Sequence, residues 1–197
     1  MTTAKILEAL ESDVLHACTA LLGTHLVRGT KRARIVEVEA YRADDPGSHA
    51  FRGRTKRNDV MFGPPGRAYV YFSYGAHWML NVTAHPEGDA AAILIRAAQP
   101  LERLEDMRAL RPKARRDEDL LSGPGKIAAA FGITGRDYGA ELLDPRSELR
   151  IEPGRPVSNV MSGTRIGLAE GKGEHLPWRF VDGDALRWIS KPLRRLL

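Results

Sequence analysis

The stretch from residue 68 to residue 84, AYVYFSYGAHWMLNVTA, constrains the fold of this chain more than any other. It is rich in aromatic and β-branched residues, which favour strands, and the triplet Ser73–Tyr74–Gly75 interrupts it near the middle. The pattern predicts two strands that meet near this triplet. Two strands joined by so short a connection run antiparallel, so part of the chain is committed to an antiparallel sheet.

Two further stretches predict strands of the same sheet. Residues 33–41, ARIVEVEAY, alternate in character, and we expect Val36, Val38 and Ala40 to face the core. Residues 90–98, AAAILIRAA, predict a third buried strand. Short strand candidates follow in the Gly- and Pro-rich tail, at residues 149–152, 164–168 and 185–190.

Three stretches predict helices. Residues 4–22 follow the helical period and end at Gly23, and residues 101–110 are also helical. In SGPGKIAAAFG, residues 122–132, Ser122 is a candidate cap and Pro124 lies in the first turn. We find no repeat and no linker, and 197 residues suit one domain. The expected fold is therefore α+β, a single domain over residues 1–197 with a curved, mostly antiparallel sheet flanked by helices.

A long polar segment, residues 42–66, lies between two of the predicted strands. Loops of this length are uncommon inside compact domains and are often functional. Basic residues of this segment and the next strand surround the hairpin aromatics: Arg52, Arg54, Lys56, Arg57 and Arg67. Cations interleaved with aromatics are typical of surfaces that hold phosphates and stack bases, although a solvated charged loop has the same composition.

The overall charge is compatible with a nucleic-acid partner. Lys and Arg total 30 against 25 Asp and Glu, which gives a net charge of +5 and a pI near 9.6. Arg outnumbers Lys by 23 to 7, and the planar guanidinium suits phosphates. Biased codon usage would produce the same excess, so both explanations stay open.

Glu37, Glu39 and Tyr41 project from one face of their predicted strand. This places two carboxylates and a phenol side by side, just before the long loop. They are either solvated groups on a half-exposed strand or part of a site. Arg96 is the only charge in its apolar strand, so it either snorkels from an exposed strand end or reaches a carboxylate such as Glu39.

Several kinds of chemistry are disfavoured. The single cysteine, Cys18, forms no intrachain disulfide, and the chain contains no HExxH or CxxC spacing, so we expect no metal site. SGPGK lacks the Walker spacing, although the amides of this helix start and Lys126 suit a backbone phosphate. The first residues do not resemble a signal peptide and no apolar run is long enough to cross a membrane, so we expect a cytoplasmic protein.

With these residues in view, the sequence resembles the alkyladenine (3-methyladenine) DNA glycosylase family. The resemblance is strong over about residues 15–135, and many motifs in one order are more specific than any single motif. The matching pieces are LLGTHLVR at 21–28, EAY at 39–41, His49, GRTxRN at 53–58, MF at 61–62, PG at 65–66, YVYxxYG at 69–75, Asn81, LIRAAQPLE at 94–102 and LSGPGKIAAAF at 121–131.

The resemblance implies a monofunctional enzyme without metal or cofactor that cuts the bond between a damaged purine and its deoxyribose. It implies 3-methyladenine and hypoxanthine as substrates, with ethenoadenine and 7-methylguanine as further candidates. The family's roles fall on the following residues: Glu39 and Arg96 for catalysis, Tyr41, His49, Tyr71 and Asn81 for the base pocket, and Tyr74 for insertion into the duplex. Arg54, Arg57 and Lys126 are then expected to hold the backbone of double-stranded DNA.

Two other functions remain open from the residues alone. One is a non-catalytic nucleic-acid-binding module, like the C-terminal domain of methionyl-tRNA formyltransferase, which has a related sheet. The other is a metal-free hydrolase of small glycosides or nucleosides, which would not need an aromatic at a hairpin tip. A monomer is the expected state for a one-domain enzyme that wraps a duplex.

Overall fold

The computed structural model describes residues 1–73 and 75–190, which form a curled antiparallel sheet with helices packed against it. The strands are β1 (His25–Arg28), β2 (Lys31–Arg42), β3 (Ala68–Ser73), β4 (His77–Ala84), β5 (Ala91–Glu102), β6 (Leu149–Glu152), β7 (Val160–Gly163) and β8 (Arg179–Asp182). The helices are α1 (Thr3–Glu11), α2 (Val14–Leu21), α3 (Leu104–Leu110), α4 (Glu118–Leu121) and α5 (Pro124–Phe131), with 3₁₀ turns at Asp59–Phe62, Gly135–Asp137 and Leu186–Trp188. The α+β expectation is confirmed.

Strand β2 is the centre of the sheet, whose order is β3-β4-β5-β2-β1-β6. One side of β2 pairs with β5, and the other side pairs first with β1 and then, from Glu37, with β8. The pairing with β5 is irregular between Ile35 and Val38. This irregularity changes the predicted core face, because Ile35 and Val38 enter the main core whereas Val36 packs in a separate cluster with Ala97.

The predicted first helix is two helices. Asp13 separates them, because its side chain accepts hydrogen bonds from the backbone N–H groups of Leu15 and His16, at 2.9 and 3.2 Å, and so caps α2. Ser12 ends α1 by donating its hydroxyl to the carbonyl of Ala9. Short polar side chains compete with the helical backbone in this way, which apolar periodicity alone does not reveal.

The next two predicted helices begin later than expected. Strand β5 extends to Glu102, and Arg103 then adopts a left-handed conformation with φ of 59°, so α3 starts only at Leu104. Helix α5 starts at Pro124 after Gly123, and the expected cap Ser122 instead accepts a hydrogen bond from Lys126 Nζ at 3.0 Å. The predicted Gly132 stop is confirmed, with φ of 67° at the helix end.

The tail was predicted least well. Strand β6 confirms the candidate at 149–152, but the candidates at 164–168 and 185–190 are wrong. The tail strands are instead β7 and β8, which have only four residues each and exist through the pairing of β8 with β2. Such short strands are defined by their partner and not by their own pattern.

The main core lies between the sheet and helices α1, α2 and α5. A smaller cluster, including Ala50, Met61 and Tyr69, lies beneath the segment 42–66, which is irregular apart from the turn at Asp59–Phe62. The packing of Ala50 and Met61 in this cluster therefore fixes the long segment against the sheet. No helix among the described residues has the length and apolar character needed to cross a bilayer.

Candidate active site

A cavity of about 580 Å³ lies where the curled sheet meets the segment 42–66. Six residues that the sequence pointed to line this cavity together: Tyr41, His49, Arg57, Tyr71, Asn81 and Arg96. They come from β2, the long segment, β3, β4 and β5. The tail closes the cavity with Ile166, Gly167 and Leu168. The fold thus gathers residues that are as far apart in the chain as 41 and 168.

Glu39 is fully buried and does not itself line this cavity, but it contacts three residues that do: Tyr41, Arg96 and Ile166. Its Oε1 accepts a hydrogen bond from the backbone N–H of Ile166 at 2.8 Å, and its Oε2 accepts one from the Tyr41 hydroxyl at 2.9 Å. Arg96 Nη1 lies 3.4 Å from the same Oε2. Burial, followed by the charge of Glu39, raises the pKa of Tyr41 well above its usual value, so the phenol keeps its proton and donates. The interpretation of Glu39 as a solvated surface acid is wrong.

A second buried carboxylate, Glu37, also contacts Arg96 and helps to hold it in place. Arg96 Nε donates to Ser190 Oγ at 3.0 Å and lies 3.4 Å from Glu37 Oε1. Glu37 also accepts hydrogen bonds from Arg179 Nε at 2.6 Å and from the Ser190 hydroxyl at 2.8 Å. Burial raises the pKa of Glu37, and the guanidinium groups of Arg179 and Arg96 oppose this effect. Arg96 therefore reaches a carboxylate and does not snorkel from an exposed strand end.

Arg165 fixes the tail segment that contacts Glu39. Its side chain is fully buried and pairs with Asp45 through both terminal nitrogens. The guanidinium carbon lies 4.7 Å from the ring centroid of Tyr41 and 5.2 Å from that of Trp178, within cation–π range. Because Ile166 directly follows, the contacts of Arg165 position both the N–H that binds Glu39 and the ring of Tyr41.

Three aromatic rings form one wall of the site. His49 meets Tyr71 edge-on with centroids 4.6 Å apart, and its Nδ1 lies 2.7 Å from the Tyr69 hydroxyl. Partial burial lowers the pKa of His49, and the nearby guanidinium of Arg57 lowers it further. Burial also raises the pKa of Tyr69, so this hydroxyl stays protonated and can donate to a neutral imidazole. The wall is therefore uncharged at neutral pH, except for Arg57 at its rim.

Asn58 organises the long segment that carries His49. Its buried side chain donates to the carbonyls of His49 and Gly53 at 2.8 and 3.0 Å, and accepts from the backbone N–H of Thr55 at 2.6 Å. Asn81, also buried, donates to the carbonyl of Tyr69 at 3.0 Å. This bond fixes the orientation of the Asn81 amide through its nitrogen.

The predicted backbone-binding residues lie outside or at the edge of the cavity. Arg57 lines it, with its guanidinium carbon 5.3 Å from the centroid of Tyr71. Arg54 is exposed and pairs with Asp59 at 2.6 Å. Lys126 lies on α5 and does not line the cavity. Tyr74 lies outside the described residues, and its predicted position between β3 and β4 stays a prediction.

Sequence reasoning missed the contributions of the tail. It named no site residue after 136, yet Ile166, Arg179 and Ser190 hold the two buried carboxylates, and Arg165 pairs with Asp45. The fragments RIG at 165–167 and WRF at 178–180 were the available indication, since both contain one of these arginines. Within residues 1–73 and 75–190, no group of three or more His, Cys, Asp or Glu side chains is arranged to hold a metal ion.

Comparisons with known proteins agree on one family. The family model described as methylpurine-DNA glycosylase (MPG) matches residues 8–185. A Nocardia farcinica protein named "Putative 3-methyladenine DNA glycosylase" is 45% identical over 181 residues, covering 88% of this chain and 84% of that protein. Proteins of the same name from Rhodopseudomonas palustris and Streptomyces avermitilis are 46% and 44% identical, covering 89% and 90% of this chain and 82% and 87% of theirs.

The buried pair of Arg165 and Asp45 predicts a large effect on stability. Arg165→Met leaves the Asp45 carboxylate buried without its partner, which should lower the free energy of unfolding by ~3–5 kcal/mol. The double variant with Asp45→Leu removes the orphaned charge and should recover part of this loss. Denaturant unfolding measures both. Arg146→Met is the matched control, because Arg146 pairs with Asp144 while 88% exposed, and it should cost at most ~1 kcal/mol. An equal cost for the two arginines would contradict the assignment.

The environment of His49 predicts its titration. Its pKa should lie below the ordinary 6.5, because partial burial disfavours the imidazolium. The folded chain then binds this proton more weakly than the unfolded chain, so the contribution of His49 to stability is complete above pH 6.5 and declines as the pH falls through the lowered pKa. NMR titration of the imidazole C–H resonances measures the value. Arg57→Gln should move it upward but not fully to 6.5, whereas a value above 6.5 in the parental chain would contradict the prediction.

Proposed function

Since this chain belongs to the methylpurine-DNA glycosylase family, we propose that it is a monofunctional base-excision repair enzyme that flips damaged purines out of duplex DNA and hydrolyses their N-glycosidic bond with a water activated by Glu39. The family makes the chain a DNA glycosylase, a hydrolase of N-glycosyl bonds. The observation that carries the proposed mechanism is the buried Glu39 carboxylate, held by Tyr41, Ile166 and Arg96, which all line the aromatic cavity.

The cavity suits one extruded purine. An enzyme that acts on a base inside a duplex must extrude it, at a cost of a few kcal/mol, and must hold it outside the stack. Stacking on aromatic rings stabilises a bound base by about 1–3 kcal/mol, which offsets this cost. In the proposal, the rings of Tyr41, His49 and Tyr71 hold the base. Tyr74, whose role is expected from the sequence alone, fills the gap left in the duplex as an aromatic wedge.

Glu39 acts as the general base. Its carboxylate accepts a proton from water while the water oxygen bonds to C1′ of the deoxyribose. The C1′–N bond breaks at the same time, and its electron pair leaves with the purine. Positive charge develops on the sugar in this transition state, and the nearby carboxylate stabilises it. Arg96 lies 3.4 Å from Glu39 Oε2 and balances the buried negative charge while holding the water.

Hydrolysis by water is favoured over covalent catalysis by an amine. No lysine is among the residues that line the cavity in the described parts of the chain, so a Schiff base with C1′ has no candidate nucleophile. Base release should then leave an intact abasic strand. This agrees with a monofunctional glycosylase and not with a combined glycosylase and lyase.

The expected substrates differ in how their purine bases leave the sugar. The purine of a 3-methyladenine nucleotide is cationic and departs as a neutral base, whereas hypoxanthine is neutral and needs a proton on its ring. Ethenoadenine and 7-methylguanine are further candidates. A neutral His49 adds no charge beside a cationic base. Asn81 lies in the cavity wall, where a side chain that crowds the amino group of guanine would exclude that normal base.

The rest of the proposal concerns the DNA outside the cavity. Arg54, Arg57 and Lys126 are proposed to contact phosphates, which adds affinity without sequence preference. Arg54 and Arg57 are exposed and lie on the segment that carries His49. The chain is proposed to act as a monomer on duplex DNA in the cytoplasm.

Glu39→Gln tests the mechanism. The amide cannot accept the proton of water, so single-turnover release of hypoxanthine from a duplex should fall by about 10²–10⁴-fold. Fluorescence anisotropy should show nearly unchanged affinity for the same DNA, because Gln keeps the size of the side chain. Glu11→Gln, on the exposed end of α1, is the control and should leave both measurements at the parental level. Parental release rates in the Glu39→Gln chain would overturn the role of Glu39.

The two leaving groups predict different pH profiles. Release of cationic 3-methyladenine needs only the Glu39 base and no proton on the purine, so its rate should not fall at alkaline pH. Release of neutral hypoxanthine also needs a proton, so its rate should fall at alkaline pH. Single-turnover rates of base release, measured from about pH 5.5 to about pH 9, distinguish the profile of 3-methyladenine from that of hypoxanthine. Parallel profiles would contradict the idea that the purine is protonated as it leaves.

A further inference from the structure

A second, shallower hollow lies beside the cavity of the candidate active site, which we call the base cavity. This second hollow has no part in the mechanism above. It has a volume of about 380 Å³, in the lower part of the ~300–1,000 Å³ range of small-ligand sites. We call it the aromatic groove and define it by the side chains that form its floor and rim: Lys56, Arg57, Tyr71, Phe72, Trp78 and Tyr138.

The floor of the aromatic groove is exposed and fixed. Phe72 is 45% exposed and Tyr138 is 36% exposed, which is unusual for large aromatic side chains. The ring of Phe72 packs against Trp78 with centroids 4.9 Å apart, and the edge of Trp78 lies so close to Gly135 that a Cβ there would be 3.0 Å from it. The Tyr138 hydroxyl accepts a hydrogen bond from the backbone N–H of Val60 at 3.0 Å. The rings are therefore preorganised to receive a flat ligand.

The rim of the aromatic groove is cationic. In the part of the chain that the structure describes, neither Lys56 nor Arg57 pairs with a carboxylate, whereas the neighbouring Arg54 is neutralised by Asp59. None of the described residues that line the groove is acidic. The rim is thus complementary to an anion such as a phosphate.

The aromatic groove and the base cavity share a partition. Arg57, Tyr71 and Phe72 line both hollows. A ligand in the groove is therefore separated from a base in the cavity by about the thickness of one side chain. Two adjacent nucleotides of one strand fit this spacing, because stacking a ring between two bases places them about 7 Å apart, twice the ~3.5 Å contact distance.

We propose that the aromatic groove is a subsite for one unpaired nucleotide adjacent to the flipped one, with its base on Phe72, Trp78 and Tyr138 and its phosphate near Lys56 and Arg57. The proposal rests on the proposed function, since it takes the cavity as the site of the flipped base. A base within an intact duplex has both faces covered by its neighbours, so the groove acts on single-stranded or bulged DNA. The cationic rim favours this ligand over an apolar peptide.

The test compares three labelled oligonucleotides that carry hypoxanthine. The first is a fully paired duplex, the second is the single strand, and the third is a duplex in which the neighbour of hypoxanthine is also unpaired. Affinities are measured by fluorescence anisotropy in the Glu39→Gln chain, so that the DNA is not consumed. Tyr138→Ala is the main variant because Tyr138 lines the groove but not the base cavity, and Phe72→Ala is the second.

We expect each variant to weaken binding of the single strand and of the duplex with the unpaired neighbour about fivefold or more, the loss expected for one stacking contact. In Tyr138→Ala, binding of the fully paired duplex should change less than about twofold, and this comparison uses Tyr138→Ala alone because Phe72 also lines the base cavity. Phe51→Ala is the matched control, since Phe51 is 47% exposed and lines neither hollow, and it should change none of the three affinities. Lys56→Gln should reduce the salt dependence of single-strand binding by ~0.7 in slope, as expected for the loss of one phosphate contact.

Equal losses on all three oligonucleotides would overturn the proposal, because they would indicate a general contact with DNA. No loss in either aromatic variant would also overturn it. Hypoxanthine release by the parental chain reports on the proposed function, whereas the loss of single-strand affinity in Tyr138→Ala reports on the aromatic groove, since Tyr138 does not line the base cavity. The two ideas can therefore fail separately.

Discussion

Two buried carboxylates on the central strand determine how the rest of the molecule is arranged. Glu37 and Glu39 are both fully buried on β2, and a charge in such a place is tolerated only when donors surround it. The donors come from three directions: Arg96 from β5, Arg179 from β8, and backbone N–H groups from the tail. The covering of the sheet by the tail is thus a condition for keeping these charges inside, and the candidate active site results from meeting that condition.

The sequence predicted those parts of the structure whose pattern is local. The hairpin of β3 and β4, the strand β2 and the body of α5 each follow from alternation, helical period or a glycine stop. It also predicted six of the polar and aromatic residues that line the base cavity, because the family motifs keep their order along the chain. It did not predict β8 or the role of Arg165, since both depend on partners more than 100 residues away, such as Glu37 and Asp45.

The cavity combines one acid with walls that are largely uncharged. Burial keeps Tyr41 and Tyr69 protonated and His49 neutral, so the carboxylate of Glu39, directly behind the lining residues, is the main negative charge beside the cavity. A site of this kind binds many flat bases by stacking and reserves its electrostatic contribution for the sugar, where charge develops during bond cleavage. In the proposed function, broad recognition of damaged purines and a single hydrolytic chemistry are compatible in one pocket for this reason.

The order in which the donors occur along the chain has a consequence for biosynthesis. Ribosomes deliver β2, with both acids, long before Arg165, Ile166, Arg179 and Ser190 emerge. Until then Glu39 lacks the amide that fixes it, and Glu37 lacks most of its hydrogen bonds. In a polypeptide that stops before these residues, neither carboxylate is held as it is in the folded chain.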